Sequence, residues 1–455
     1  MKKTLLYLSV FAASLVGLTA TAQTTIPVYD NAIFYGMYEG TVSQPLPAGA
    51  QRNSNSSYGV KLTDEQIASF GSTLTLNVRA ASLCDNYDRI GNINLAFVPK
   101  GATSYVYNQV QRMELGRFIT PFMVPDGSVE VPYTYDLSHL VGVFKSPEFA
   151  ANYDFWVELE IYGYQGGVGQ GGAAAEYPAI CGGRNDVYRG SLDFVTSGTY
   201  TPAEFYFKNL SFKYELKNYT LDGTDEIGET VRSIPFTADR ALSSASYYII
   251  TSNHGSGTNG EEYVRRWHYI YLDGVQKTRY MPGGVSCVPY RQYNTQSNCI
   301  YWLCDGTSNT RPNTNSAWSW NNWCPGNKVP TRMINLGAVA AGDHTYKINV
   351  PDAEFYDGQG YFPMSVYVMG TYATADTDTF VKANVTVTPN PVATVATITT
   401  NGEQVASFTV INTLGQQVAA GKGNSIDMTQ LQAGIYVVKA SLANGQTTSA
   451  KVVKK

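Results

Sequence analysis

The chain has 455 residues, of which 15% are charged and 13% aromatic, with 34 tyrosines and a formal net charge of -4. That length suits roughly two to four domains, and the weak charge, without any basic run, argues against a nucleic-acid partner. Abundant tyrosine suits flat, polar ligands such as sugars but also ordinary β-sandwich surfaces, so composition excludes more than it selects.

At the N-terminus, Lys2 and Lys3 precede an apolar run from Leu5 to Leu18, and Ala20-Thr21-Ala22 stands before Gln23. Two charges, a short apolar stretch and small residues before the cut make residues 1–22 a signal peptide. The run is short for a bilayer span, and no later segment reaches spanning length, so a soluble, exported protein is expected. Export makes disulfides the natural use of the six cysteines: Cys84 and Cys181, then Cys287, Cys299, Cys304 and Cys324. With no C-x-x-C a zinc site is not expected, and spacing does not fix the connectivity.

Alternation with period two dominates the chain beyond Gln23, as at Leu74, Leu76 and Val78, at Ile93, Leu95 and Phe97, and from Phe155 to Ile161. Separated by Asn-, Asp- and Gly-rich turns, these runs predict antiparallel β-sandwiches. One short helix is expected at Thr63 to Phe70, where Thr63 and Gln66 suit a capping box. The run Gly167 to Gly172 fits G-x-G-x-x-G formally, but no helical pattern comes after it, so a flexible loop is expected rather than a dinucleotide site. We expect a first domain over residues 24–218 and a second over 230–375, joined by an acidic stretch (Asp222, Asp225, Glu226, Glu229). Those carboxylates suit a solvated linker better than a calcium site. A third unit is expected over 381–455.

Four segments carry residues suited to chemistry. In Cys84-Asp85-Asn86-Tyr87-Asp88-Arg89, Asp88 beside Arg89 is either an ion pair closing a turn or part of a site. In the strand around Trp156 to Tyr162, alternation places Trp156, Glu158, Glu160 and Tyr162 on one outer stripe. Two acceptors flanked by two rings suit sugar recognition; the alternative is an exposed strand face. The third segment holds His254, Glu262, Tyr263, Arg266 and His268; if it runs into a strand, Glu262, Arg266 and His268 share a face. With four histidines in the chain, a multi-histidine metal centre is poorly supported. In the fourth, Trp323-Cys324-Pro325-Gly326 leads to Arg332, a stiffened loop that either presents an arginine or merely staples a connection.

The last unit carries Val387-Thr388-Pro389-Asn390-Pro391, Asn412-Thr413-Leu414-Gly415, Gly434-Ile435-Tyr436-Val437-Val438-Lys439 and a closing Lys451-Val452-Val453-Lys454-Lys455. It resembles the C-terminal sorting domain of proteins exported by the type IX secretion machinery, which implies a cleaved module without a catalytic role. The alternative is a generic adhesive immunoglobulin-like sandwich.

Taken in order, the four chemical segments and Glu114-Leu115-Gly116-Arg117-Phe118-Ile119-Thr120-Pro121-Phe122 resemble the peptide-N-glycosidase F family, over about residues 60–370. The resemblance implies an all-β fold of two tandem antiparallel jelly-roll β-sandwiches, here followed by a small immunoglobulin-like sandwich. It implies an amidase that cleaves the linkage between asparagine and the first N-acetylglucosamine of N-glycoproteins or glycopeptides, leaving aspartate and a glycosylamine, with no metal or other cofactor. Carried over, Asp88, Glu262 and Glu160 match the family's acids, the last holding the chitobiose core, and Arg89 and Arg332 match arginines around the catalytic carboxylate. Tyr87, Tyr162 and Tyr263 stand where the family often has tryptophan. Tyr87, Tyr162, Tyr263, His254, Arg266 and His268 are expected to contact substrate. Gly260 and Val264 occupy the places of a family disulfide, while Cys287 and Cys299 are additional. A secreted or surface-bound monomer is expected. The rival readings are a non-catalytic glycan-binding or adhesive protein on this fold and, more weakly, a copper monooxygenase.

Overall fold

The computed structural model describes residues 23–166, 172–255, 260–262, 264–296, 303–304, 309–310, 322–373, 385–400, 402–443 and 447–455. The expected signal peptide, Tyr263 and Cys299 lie outside the described residues. The chain divides into two units, Met1–Ala373 and Thr374–Lys455.

The first unit begins with a sandwich of two antiparallel sheets. One orders its strands Thr24–Tyr35, Asp186–Ser197, Thr73–Ser82 and Glu130–Asp136. The other runs Lys328–Val329, Gln111–Ile119, Ile90–Pro99, Tyr153–Ile161, Ser57–Lys61 and Ala50–Ser54. Alternation decides their inner faces: Leu74, Leu76 and Val78 meet Ile93, Leu95 and Phe97 in one core with Phe155, Val157, Leu159 and Ile161. Each such side chain, fully buried, contributes roughly 1.5–3 kcal/mol. The expected helix forms at Asp64–Ala68 with the Thr63/Gln66 capping box in place, and Ser69 ends it so that Phe70 drops into the core.

The second sandwich pairs the sheet Tyr206–Leu216, Phe362–Tyr372, Leu242–Thr251, Arg332–Val339 with the sheet Val231–Ala238, Gly342–Asn349, His268–Leu272, Val275–Tyr280. Phe236, Ile270, Tyr346 and Ile348 on one side meet Tyr247, Ile249, Val366 and Val368 on the other. Between the sandwiches the acidic stretch is a compact turn, not a free linker. Thr224 Oγ1 accepts from Val231 N, and Asp225 pairs with Arg232 at 3.0 Å. The short strand Lys328–Val329 belongs by sequence to the second half but pairs with Phe118 and Arg117 of the first, stitching the two together. The Thr374–Lys455 unit has its own sandwich, a three-stranded and a four-stranded sheet closed over Val387, Ile398, Phe408, Val410 and Val438. No helix among the described residues is long and apolar enough to cross a membrane.

Three expectations need correction. Trp156, Glu158 and Glu160 are not an outer stripe. All three are buried, because that face of Tyr153–Ile161 is covered by Tyr105, Tyr107 and Lys213. Glu262, Arg266 and His268 do not share a strand face, since the strand begins only at His268 and Glu262 sits in a turn. Residues 167–171 of the glycine run lie outside the described residues; after it come single-turn helices at Ala173–Glu176 and Pro178–Cys181, where no helical pattern was expected. Ala174 N is taken by Gln165 O at 2.8 Å, so it offers nothing to a phosphate.

Candidate active site

The loop from Cys84 to Arg89 is pinned at nearly every residue. Cys84 is disulfide-bonded to Cys181. Asp85, fully buried, accepts from Arg89 Nε at 2.7 Å, Tyr87 N at 2.9 Å and Tyr164 N at 2.6 Å. Arg89 N donates to Thr120 Oγ1 at 2.7 Å, and Thr120 N returns to Arg89 O at 2.8 Å. The ion pair in this turn is therefore Asp85–Arg89, which leaves Asp88 free of that duty.

Asp88 is held well above the usual carboxylate range, first by burial and then by the charge of Glu262, with Arg89 pulling the other way. Burial and the nearby Glu262 charge both favour the neutral form of the Asp88 carboxyl. Glu262 reaches this position because Gly255 N donates to its Oε2 at 3.3 Å and Asn322 Nδ2 donates to its carbonyl at 2.8 Å. Asn322 opens the stiffened loop, which a Cys287–Cys324 disulfide fixes. That loop thus serves the site by holding the Glu262 turn.

Asp88 and Arg89 line a cleft of about 460 Å³ together with Tyr162, Lys213, His254 and Tyr361. Glu160 lies behind its wall. The carboxylate is fully buried and accepts from Tyr107 Oη, Ser57 Oγ and Lys213 Nζ. Burial alone would raise its pKa, but the Lys213 charge and the hydrogen bonds from Lys213, Tyr107 and Asn94 outweigh it and hold Glu160 low. Tyr162 is pushed up to about 12, first by the Glu160 charge and then by burial. His254 bonds Ser252 Oγ through Nε2 at 2.7 Å and is neutral, its pKa pulled down to about 3 by burial and by Arg117.

Other residues singled out by sequence go elsewhere. Arg266 pairs with buried Glu261 at 2.8 Å. His268 is fully buried against Tyr280 and is likewise pulled down to about 3, by burial first. Arg332 lies with its guanidinium 4.4 Å from the Tyr280 ring centroid and does not line the cleft. Tyr87 and Glu262 do not line it either: the Tyr87 hydroxyl donates to Glu176 at 2.9 Å, and Glu262 acts on Asp88 through its charge. Among the described residues no group of three or more His, Cys, Asp or Glu side chains is placed to hold a metal ion.

Two elements escaped sequence reasoning. Glu114 and Arg117 are fully buried and paired at 2.7 Å, and Arg117 Nη1 also donates to Ser252 Oγ at 2.8 Å and to Pro363 O at 2.7 Å in the second sandwich. Beside them, Gly116 is required because a Cβ there would lie 2.6 Å from the Tyr135 ring. The other is Lys213, whose φ of 44° is left-handed, at a register break between Ser211 and Tyr214. For a residue with a Cβ this costs about 1–2 kcal/mol. Only the Glu114–Phe122 block gave a signal, as a family-like string without a role; Lys213 gave none.

Family models for "Peptide-N-glycosidase F, N terminal" and "Peptide-N-glycosidase F, C terminal" match residues 25–165 and 224–369, together more than half of the chain. A third, "Secretion system C-terminal sorting domain", matches residues 386–455. No curated protein sequence matches. Among solved structures, PNGF-II in one crystal form aligns with TM-score 0.55 at 18% identity, over 77% of this chain and 66% of that one. A second crystal form gives 0.52 at 19%, over 77% and 65%. This chain thus spans just under two thirds of the PNGF-II chain. PNGase F, a glycosylasparaginase from Flavobacterium meningosepticum, aligns with TM-score 0.46 at 14% identity, over 78% of this chain and 97% of that one. The chain belongs to the peptide-N-glycosidase F family and ends in a secretion-system sorting domain.

Proposed function

We propose that this protein is an exported amidase that hydrolyses the bond between an asparagine side chain and the first N-acetylglucosamine of an N-glycoprotein, with Asp88 and Glu262 as its acid–base pair. The observation that supports this reading is that Asp88 lines the cleft while the ion pair of its turn is made by Asp85 and Arg89, and that the Glu262 charge acts on it.

Amide hydrolysis needs a base to take a proton from water, an acid for the leaving nitrogen, and positive charge near the developing oxyanion. A carboxyl pair sharing one proton supplies a base and an acid at once. Water adds to the asparagine carbonyl carbon and gives up a proton to the ionised member. The carbon–nitrogen bond then breaks as the protonated member donates to nitrogen. The products are aspartate and a glycosylamine, and the pair regains its single proton. Arg89, oriented by Asp85, supplies positive charge at the cleft. Tyr162 offers a ring to a sugar face. The sorting domain would direct the chain through the type IX machinery to the exterior or cell surface, where N-glycoproteins are met.

The test is incubation of the mature chain with a denatured glycopeptide in heavy-oxygen water. Hydrolysis places one heavy oxygen in the new aspartate and frees an intact glycan, both read by mass spectrometry. Unchanged asparagine would sink the reading.

A further inference from the structure

Glu160, the acid expected to hold the glycan core, is fully buried, and Lys213, Tyr107 and Ser57 all donate to it. Lys213 stands between it and the cleft. Its side chain retains 16% exposure and lines the cleft beside Tyr162. Its backbone is fixed twice over: the left-handed φ at a register break turns it inward, and its N–H donates to Ser365 Oγ at 2.9 Å. Its Nζ lies 5.7 Å from the centroid of the Tyr162 ring and 5.2 Å from that of Phe212. Strain held in place by several independent contacts, at the edge of a cleft, points to a task beyond folding.

We propose that Lys213, and not Glu160, is the residue that touches the glycan core, reading an acceptor oxygen of an N-acetylated sugar whose face lies on Tyr162. An ammonium has three donors and no acceptor. Glu160 takes one from behind, and with Tyr162 beside the ammonium at the cleft a donor is left for the acetamido carbonyl or a ring hydroxyl. Glu160 is then a positioning residue, aiming and keeping charged a lysine that burial would otherwise discharge. This assignment rests on the amidase reading for its substrate class but not for its test.

The experiment measures binding apart from hydrolysis. Calorimetry with di-N-acetylchitobiose and with single N-acetylglucosamine is run on the full mature chain, on Lys213→Met, and on the double variant Lys213→Met/Glu160→Gln, which leaves no unpaired buried charge. We expect chitobiose affinity to fall roughly tenfold or more in both variants, the size of one charge-assisted hydrogen bond. We also expect KM for a glycopeptide to rise while kcat changes by less than about threefold, the pattern of lost uniform binding. Unchanged chitobiose affinity in the well-folded double variant overturns the assignment, as does absence of binding by the unmodified chain. A chain that binds chitobiose through Lys213 yet releases no glycan would sink the amidase reading alone.

Discussion

Glu114 and Arg117 lie three residues apart on one strand, yet their side chains meet at 2.7 Å in a fully buried ion pair. Strand neighbours at that spacing normally point to opposite faces. Here the register slips, with Ile93 opposite Gly116 and Asn94 opposite Glu114, so that Leu115 is an extra residue and the alternation reverses. The bulge brings the pair together, and through it Asn92 of the first sandwich is tied to Ser252, Pro363 and Ser365 of the second.

Because the pair joins both sandwiches, breaking half of it is expected to be costly. Arg117→Met should lower stability by about 3–5 kcal/mol, the usual cost of an orphaned buried charge, while Arg117→Met/Glu114→Gln should recover part of that loss. Denaturant melts of the three proteins decide it. A single variant as stable as the parent would show that water reaches Glu114.

The bulge at Leu115 hid the meeting of Glu114 and Arg117 from a reading by alternation. The cores of all three sandwiches were legible because one buried face makes period two visible, as at Leu74, Leu76 and Val78. The segments holding Asp88, Glu262 and Glu160 stood out by residue type and alternation, and their expected roles came only from the resemblance. Alternation from Trp156 to Tyr162 made Glu158 and Glu160 look exposed, because it does not reveal that Tyr105, Tyr107 and Lys213 cover that face. Lys213 was hidden because a left-handed lysine at a register break leaves no trace in a string of letters. Arg332 was misplaced for a related reason: a loop's rigidity is readable, but the direction it points is not.

The Asp88–Glu262 pair makes three linked predictions. Asp88→Asn should lower kcat for glycan release by about a thousandfold, within the range lost with an acid–base group, while the protein remains folded. A raised folded pKa means that Asp88 favours the fold at low pH and opposes it as pH climbs through that value. Asp88→Asn should therefore be at least as stable as the parent at neutral pH, by thermal melting. Glu262→Gln removes the neighbouring charge, and the Asp88 carboxyl, followed by carbon NMR, should titrate lower than in the parent. An unmoved titration would separate the two acids.

Glu158 gives a pH dependence of stability away from the reacting pair. Burial, with the Glu160 charge second, lifts its pKa to about 7, against hydrogen bonds from Tyr105 and Asn94. Since the unfolded carboxyl titrates near 4.5, its contribution is complete below that pH and is lost as pH rises through about 7. The amount at stake is on the order of 3 kcal/mol. Glu158→Gln, which cannot ionise, should flatten the fall in stability between about pH 5 and 8. Parallel curves for parent and variant would mean that Glu158 is already ionised throughout.

The C-terminal unit closes over a core drawn wholly from its own strands, Val387 through Val452. None of the cleft-lining residues comes from it; all lie before Ala373. Ending the chain after Ala373 should therefore leave kcat and KM for a glycopeptide within about twofold of the parent, as expected for a change that touches no group at the cleft. In a host carrying the type IX machinery, the shortened chain should accumulate inside the envelope, while the full chain reaches the surface. Cell fractionation with an activity assay on each fraction reads both outcomes. A shortened chain that melts normally but releases no glycan would assign the terminal sandwich a part in the reaction. Equal delivery of both chains would reduce it to an adhesive module.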